Sequence, residues 1–103
     1  MRTLKLKEAA TAKVVYTNHA FDQMADREIS VAQVEETVRR PAIRYLKDHA
    51  SQEGKQFVFE RQYNYPDTGT WTLRVIGTPK SVLLVVTTYW VNGVDGRRVR
   101  RRG

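Results

Sequence analysis

Pro41 divides this chain into two kinds of sequence, and that division limits the folds open to it. Before it, apolar residues recur at the three- and four-residue spacing of a helix. After it they alternate or run together, as strands do. A proline also pushes the residue before it toward extended geometry, so a helix arriving there has to stop. The helical half carries its own punctuation. Thr17 or Asn18 can cap a first helix over residues 19–28, and Ser30 to Gln33 has the spacing of a capping box for a second, with Val31, Val34 and Val38 as its apolar stripe. A rotation of about 100° per residue gathers Ala20, Phe21, Met24 and Ala25 on one side of the first helix. His19, Asp22, Gln23, Asp26 and Arg27 fall on the other.

Ahead of the helices, residues 14–17 read as a short strand or an extended lead-in. Beyond Pro41, residues 42–46 form a first short strand and the polar stretch 47–55 a turn or loop. Residues 56–63 set Phe57, Phe59 and Arg61 against Val58, Glu60 and Gln62, a strand alternation. The run NYPDTGT is turn chemistry, residues 71–76 are a strand, and Gly77, Thr78 and Pro79 read as the next turn. Residues 81–91 make the last and most apolar strand, expected at the centre of the sheet. Asn92-Gly93 is a hairpin dipeptide, after which residues 97–101 are either a further edge strand or an arm. The expected fold is therefore α+β, with two N-terminal helices packed on one face of an antiparallel sheet of three or four strands. A chain of 103 residues suits one domain, drawn at residues 1–96, with a basic tail at 97–103.

Composition removes several classes of chemistry. The chain has no cysteine, which excludes disulfides, thiolate metal sites and thiol nucleophiles and makes a reducing cytoplasm the expected setting. With only His19 and His49, no metal site and no cofactor are expected. The opening MRTLKLKEAATAK lacks the apolar core of a signal peptide, and the longest apolar run is too short to span a membrane. The net charge of +7 points to a polyanion, yet it sits mostly in the tail. Without Arg97, Arg98, Arg100, Arg101 and Arg102, 13 basic residues face 11 acidic ones. Those five arginines fit a phosphate backbone, and equally an anionic lipid surface or an acidic protein.

His19-Ala20, Met24, Arg27, Ile29-Ser30 and Val34, followed by a Pro-terminated helix and a final strand ending in threonine, resemble the DUF4258 family of small bacterial domains. The resemblance runs over residues 16–89. It implies kinship with compact metal-independent ribonuclease toxins of the barnase, EndoU, colicin and RelE type, some of them in toxin–antitoxin settings. RNA, and an antitoxin or immunity protein, are then the implied partners. Two positions depart from the family pattern: Gln23 stands where arginine is usual, and Glu28 where glycine is. Glycine after a helix supplies left-handed backbone at little cost, and glutamate does not.

Acid–base cleavage of RNA needs a base for the 2′-hydroxyl, an acid for the leaving oxygen and cations around the phosphoryl oxygens. His19 carries an imidazole that can exchange a proton; alternatively it is only a polar residue at a helix start. Arg27 either forks onto a phosphate or joins a surface ion pair. Arg74, inside TWTLRVIG, whose other positions are largely apolar or β-branched, must reach a solvated cleft, snorkel to an edge or pair with a carboxylate such as Glu60. Thr87, Thr88 and Tyr89 offer hydroxyls at a strand end, for orienting a phosphate, for stacking on a base or for hydrogen bonding at the core's edge. Arg61 is a further phosphate contact. Asp22 and Asp26 read as solvated, and His49 as a loop residue. The catalytic set expected is thus His19, Arg74, Thr87 and Tyr89, with Arg27, Arg61 and the tail arginines binding the nucleic acid. The alternatives are a nucleic-acid-binding module without catalysis, or a protein-interaction domain of a toxin–antitoxin system.

Overall fold

A computed structural model describes residues 3–48, 55–67 and 69–92. His49, Gly93 and the arginine tail lie outside the described residues. A 3₁₀ turn, Leu6–Thr11, leads into β1 (Val14–Tyr16), then α1 (Asn18–Asp26), α2 (Val31–Arg39), β2 (Ile43–Asp48), β3 (Lys55–Tyr65), β4 (Gly69–Pro79) and β5 (Leu83–Asn92).

The helix signals resolve at their caps. Thr17 is the first N-cap, its Oγ1 accepting the Ala20 N–H at 3.0 Å. Ser30 and Gln33 close the capping box of α2 in both directions, each bond 3.0 Å. α1 ends in a Schellman arrangement. Ile29 N–H reaches the Met24 carbonyl at 2.8 Å, Glu28 N–H turns back to Ala25, and Met24 and Ile29 are both buried in the core. That geometry forces Glu28 to a φ of +57°, the left-handed backbone that glycine would take without strain. Glu28→Gly is accordingly expected to stabilise the fold by about 1 kcal/mol, seen as a higher urea midpoint at unchanged m-value. No gain would mean that the Glu28 side chain offsets its own backbone strain.

The buried stripes differ from those expected. α1 buries Ala20 and Met24, but Phe21 is 48% exposed and stacks on Tyr16 at 4.9 Å between ring centroids. Gln23 and Arg27, assigned to the outer side, instead turn to β5 through their side chains. In α2, Thr37 joins Val34 and Val38 inside while Val31 is left exposed.

The sheet has five strands in the order β1-β5-β4-β3-β2, and it is mixed rather than antiparallel, because β1 runs parallel to β5 from Val14↔Leu83 to Tyr16↔Val85. The helices and the meander supply the long crossover a parallel pair requires. β4, not β5, is central. Gly77 to Pro79 are not a turn but the end of β4, paired with Val85, Leu84 and Leu83. A β-bulge makes this possible: pairing steps from Ile76↔Thr87 to Gly77↔Val85, leaving Val86 extra on β5. Gly77 fits there because a Cβ would come within 2.8 Å of Leu83 Cδ1 and 3.1 Å of the Leu84 carbonyl oxygen.

Both helices pack on the face formed by Phe57, Phe59, Leu73, Val75, Val85 and Trp90. Tyr16 borders this core, and its hydroxyl is buried with no hydrogen-bond partner among the described residues. Burial, chiefly, and the nearby Glu35 carboxylate push the phenol up to about 12. The neutral phenol is therefore favoured in the folded chain, so this contribution to stability is complete below pH ~10 and is lost as pH rises toward 12. Tyr16→Phe removes an unsatisfied hydroxyl and is expected to stabilise by about 1 kcal/mol at neutral pH. Chemical denaturation should also show a smaller stability loss between pH 9 and 12 than the parent shows, a window that runs from about a unit below the ordinary tyrosine pKa up to the raised one.

Candidate functional site on the outer sheet face

Strand alternation puts Glu60, Arg74 and Tyr89 on the face turned away from the helices, and the register lines them up across three strands, Glu60↔Arg74↔Tyr89. Tyr45 of β2 reaches the same group. Glu60 Oε2 accepts the Arg74 Nε–H at 2.7 Å and the Tyr45 hydroxyl at 3.2 Å. Arg74 Nη1 donates to the Tyr89 oxygen at 3.0 Å, and the guanidinium carbon lies 5.5 Å from the Tyr89 ring centroid. The Arg74 and Glu60 side chains are 19% and 12% exposed, so water screens the pair only partly. Burial opposes the Arg74 cation, but its bonds to Tyr89 and Glu60 together outweigh that and hold its pKa above the usual arginine value. Burial and then the Glu60 carboxylate raise the pKa of Tyr45, which keeps it a donor. Beside this row, a hollow of about 220 Å³ is lined by Ala42, Ile43, Glu60, Arg61, Gln62 and Thr72.

Of the roles weighed for Arg74, the structure shows the pairing with Glu60; Arg74 is not among the residues that line the hollow beside the row. Its Nη2 has no hydrogen bond among the described residues.

Tyr89, also expected, joins Arg74 in that row, and the remaining expected residues among those described do not. Arg61 pairs across the sheet with Leu73, on the helix face. It donates to the Arg40 carbonyl at 2.7 Å, at the end of α2, and stands 3.6 Å from Glu36. Its work is to close a helix end. Arg27 donates through Nη1 to the Thr88 carbonyl at 3.0 Å. Gln23 Oε1 accepts the Thr88 N–H at 3.1 Å and the Thr87 hydroxyl at 2.6 Å. Beyond Val85, where β1 stops, these two α1 side chains cover the edge of β5, standing in for a neighbouring strand. Gln23 therefore has a defined structural task where the family pattern has arginine. His19, on the same helix one turn before Gln23, is exposed, and no hydrogen bond or ion pair joins it to Arg74, Arg27 or Tyr89 among the described residues. Thr88, unlike Thr87, is fully buried, and its hydroxyl has no partner among the described residues.

Glu60 and Tyr45 are site residues that the sequence reading did not assign. The alternation in residues 56–63 does place Glu60 opposite Phe57 and Phe59, and the sequence names it as a carboxylate for Arg74; the register of β2 is what adds Tyr45. Among the described residues no group of three or more His, Cys, Asp or Glu side chains is gathered to hold a metal ion, and no helix is long and apolar enough to cross a membrane.

A family model described as a domain of unknown function, DUF4258, matches residues 16–90. The chain belongs to the DUF4258 family. No curated protein and no solved structure matches it. The matched DUF4258 region opens at Tyr16, the last residue of β1, and closes at Trp90 of β5, so it takes in both helices, the outer-face row and the α1 side chains that cover β5.

Proposed function

We propose that this DUF4258 domain acts on RNA as a ribonuclease-like toxin domain, cleaving the phosphodiester by acid–base chemistry, with the outer sheet face as its working surface. The observation that carries the reading is Arg74, oriented by Glu60 and Tyr89 with Nη2 turned to no protein group among the described residues. A guanidinium fixed in this way can bind a phosphoryl group and stabilise the charge that develops on it. Tyr45 and Tyr89 on either side provide ring faces for unstacked bases, as proteins that take single-stranded RNA commonly do. Glu60 is the carboxylate nearest that phosphate position and can accept the 2′-hydroxyl proton. His19, at the edge beyond Thr87, is left as the second proton-transfer group.

A second reading, RNA binding without cleavage, draws on the same pair. Glu60 already matches the Arg74 charge, and His19 has no link to the cluster. One assay separates the two. Purified protein is incubated with total RNA in excess chelator, beside Arg74→Lys, Glu60→Gln and His19→Ala. The ribonuclease reading expects cleavage that falls about 100-fold or more in Arg74→Lys and Glu60→Gln. Salt-sensitive retention of RNA with no strand scission supports the binding module, and scission untouched by any of the three substitutions removes this face from the chemistry.

A further inference from the structure

We propose that the free edge of β2 is a docking strand for an acidic, extended segment of a partner protein, which adds to the sheet as a sixth strand. The two ends of the sheet are finished differently. At one end β1 is three residues long, and past it Gln23 and Arg27 bond the main chain of Thr88, so little open ladder is left. At the other end β2 pairs with β3 alone, and no backbone bond from another described segment reaches its outer side.

Side chains along β2 mark this edge as more than an unfinished border. Ile43, Tyr45 and Leu46 are 52%, 39% and 48% exposed, three of the five exposed large hydrophobics among the described residues and all within four residues of sequence. Because Ile43 and Tyr45 face one side of the sheet and Leu46 the other, a strand laid alongside would find apolar contact on both of its faces. Arg44, between Ile43 and Tyr45, and Lys47, after Leu46, are exposed. These cations argue for an acidic occupant. A second copy related by a two-fold axis at Tyr45 would set Arg44 against Leu46 and Lys47 against Ile43, leaving both cations unmatched on a chain whose net charge is +7. A segment alternating acidic and apolar residues satisfies the charges, the apolar side chains and the open main-chain donors and acceptors together. RNA offers phosphate to the cations but no peptide groups to extend the ladder.

The probe is a capped peptide of alternating valine and glutamate, added to isotope-labelled full-length protein. Binding is expected to slow amide exchange along residues 43–48, to weaken at least tenfold in the exposed double variant Arg44→Glu/Lys47→Glu, and to vanish when alternate peptide nitrogens are methylated, since methylation removes the ladder donors without altering charge. The proposal is overturned by absence of binding at about 1 mM peptide. It is overturned equally by undiminished binding of the methylated peptide, by protection elsewhere than β2, by an oligouridine that protects the same amides, or by a free protein that is already dimeric through β2.

Discussion

Replacing Trp90 with alanine is expected to cost about 3–5 kcal/mol, a large part of the whole stability of a domain this size. Trp90 is 1% exposed and its indole stands edge-on to two tyrosines of β3, with centroids 5.9 Å from Tyr63 and 5.8 Å from Tyr65. Its Nε1 donates to the Arg27 carbonyl at 3.0 Å, where α1 ends. One side chain therefore holds the last strand, the third strand and the end of the first helix. Tyr63 carries the connection onward: its hydroxyl donates toward the Gln33 carbonyl and lies 3.2 Å from Thr37 Oγ1, both in α2. Trp90→Phe keeps an aromatic ring but leaves the Arg27 carbonyl without this donor, and about 1–3 kcal/mol is expected for that change. Urea denaturation of both variants checks the ordering. Equal losses would mean that the hydrogen bond, not the packing, is what Trp90 contributes.

Local signals were readable in the amino-acid order and long-range ones were not. Thr17, Ser30 with Gln33, and Pro41 each act on backbone within four residues, so the two helices could be placed from sequence. The strain at Glu28 was readable for the same reason: a Schellman turn demands left-handed backbone whatever the rest of the chain does. By contrast, the parallel pairing of Val14–Tyr16 with Leu83–Val85 joins segments about seventy residues apart, and a three-residue strand has no periodicity to announce it. The bulge at Val86 and the extension of β4 through Pro79 belong to that same distant register; Gly77, a turn residue by composition, serves close packing instead. The site divides along the same line. Strand alternation alone puts Arg61 on the face opposite to Glu60 and Arg74, where its guanidinium bonds the end of α2. On α1 the error was one of facing: Gln23 and Arg27 look like solvent residues because they are polar, but an uncovered strand edge is itself polar and calls for such partners.

Arg74→Ala is expected to cost about 2–3 kcal/mol of stability, more than its exposure alone suggests, because it leaves Glu60 charged in a setting that water reaches poorly. Glu60→Leu/Arg74→Met, which removes both charges and keeps the volume, is expected within about 1 kcal/mol of the parent, and the gap between that double variant and the sum of the singles measures the coupling. If the pair served the fold alone, that apolar replacement would be neutral in every assay. The proposed function expects otherwise: a stable, folded double variant with RNA cleavage reduced about 100-fold or more, and Arg74→Lys keeping most of the stability while losing the activity. Lysine preserves the charge opposite Glu60 but has no second nitrogen to turn outward while the first is held. Stability and cleavage are thus expected to separate at this one residue, and a cleavage rate that merely tracks the urea midpoint across these variants would return Arg74 to the fold and take it from the chemistry.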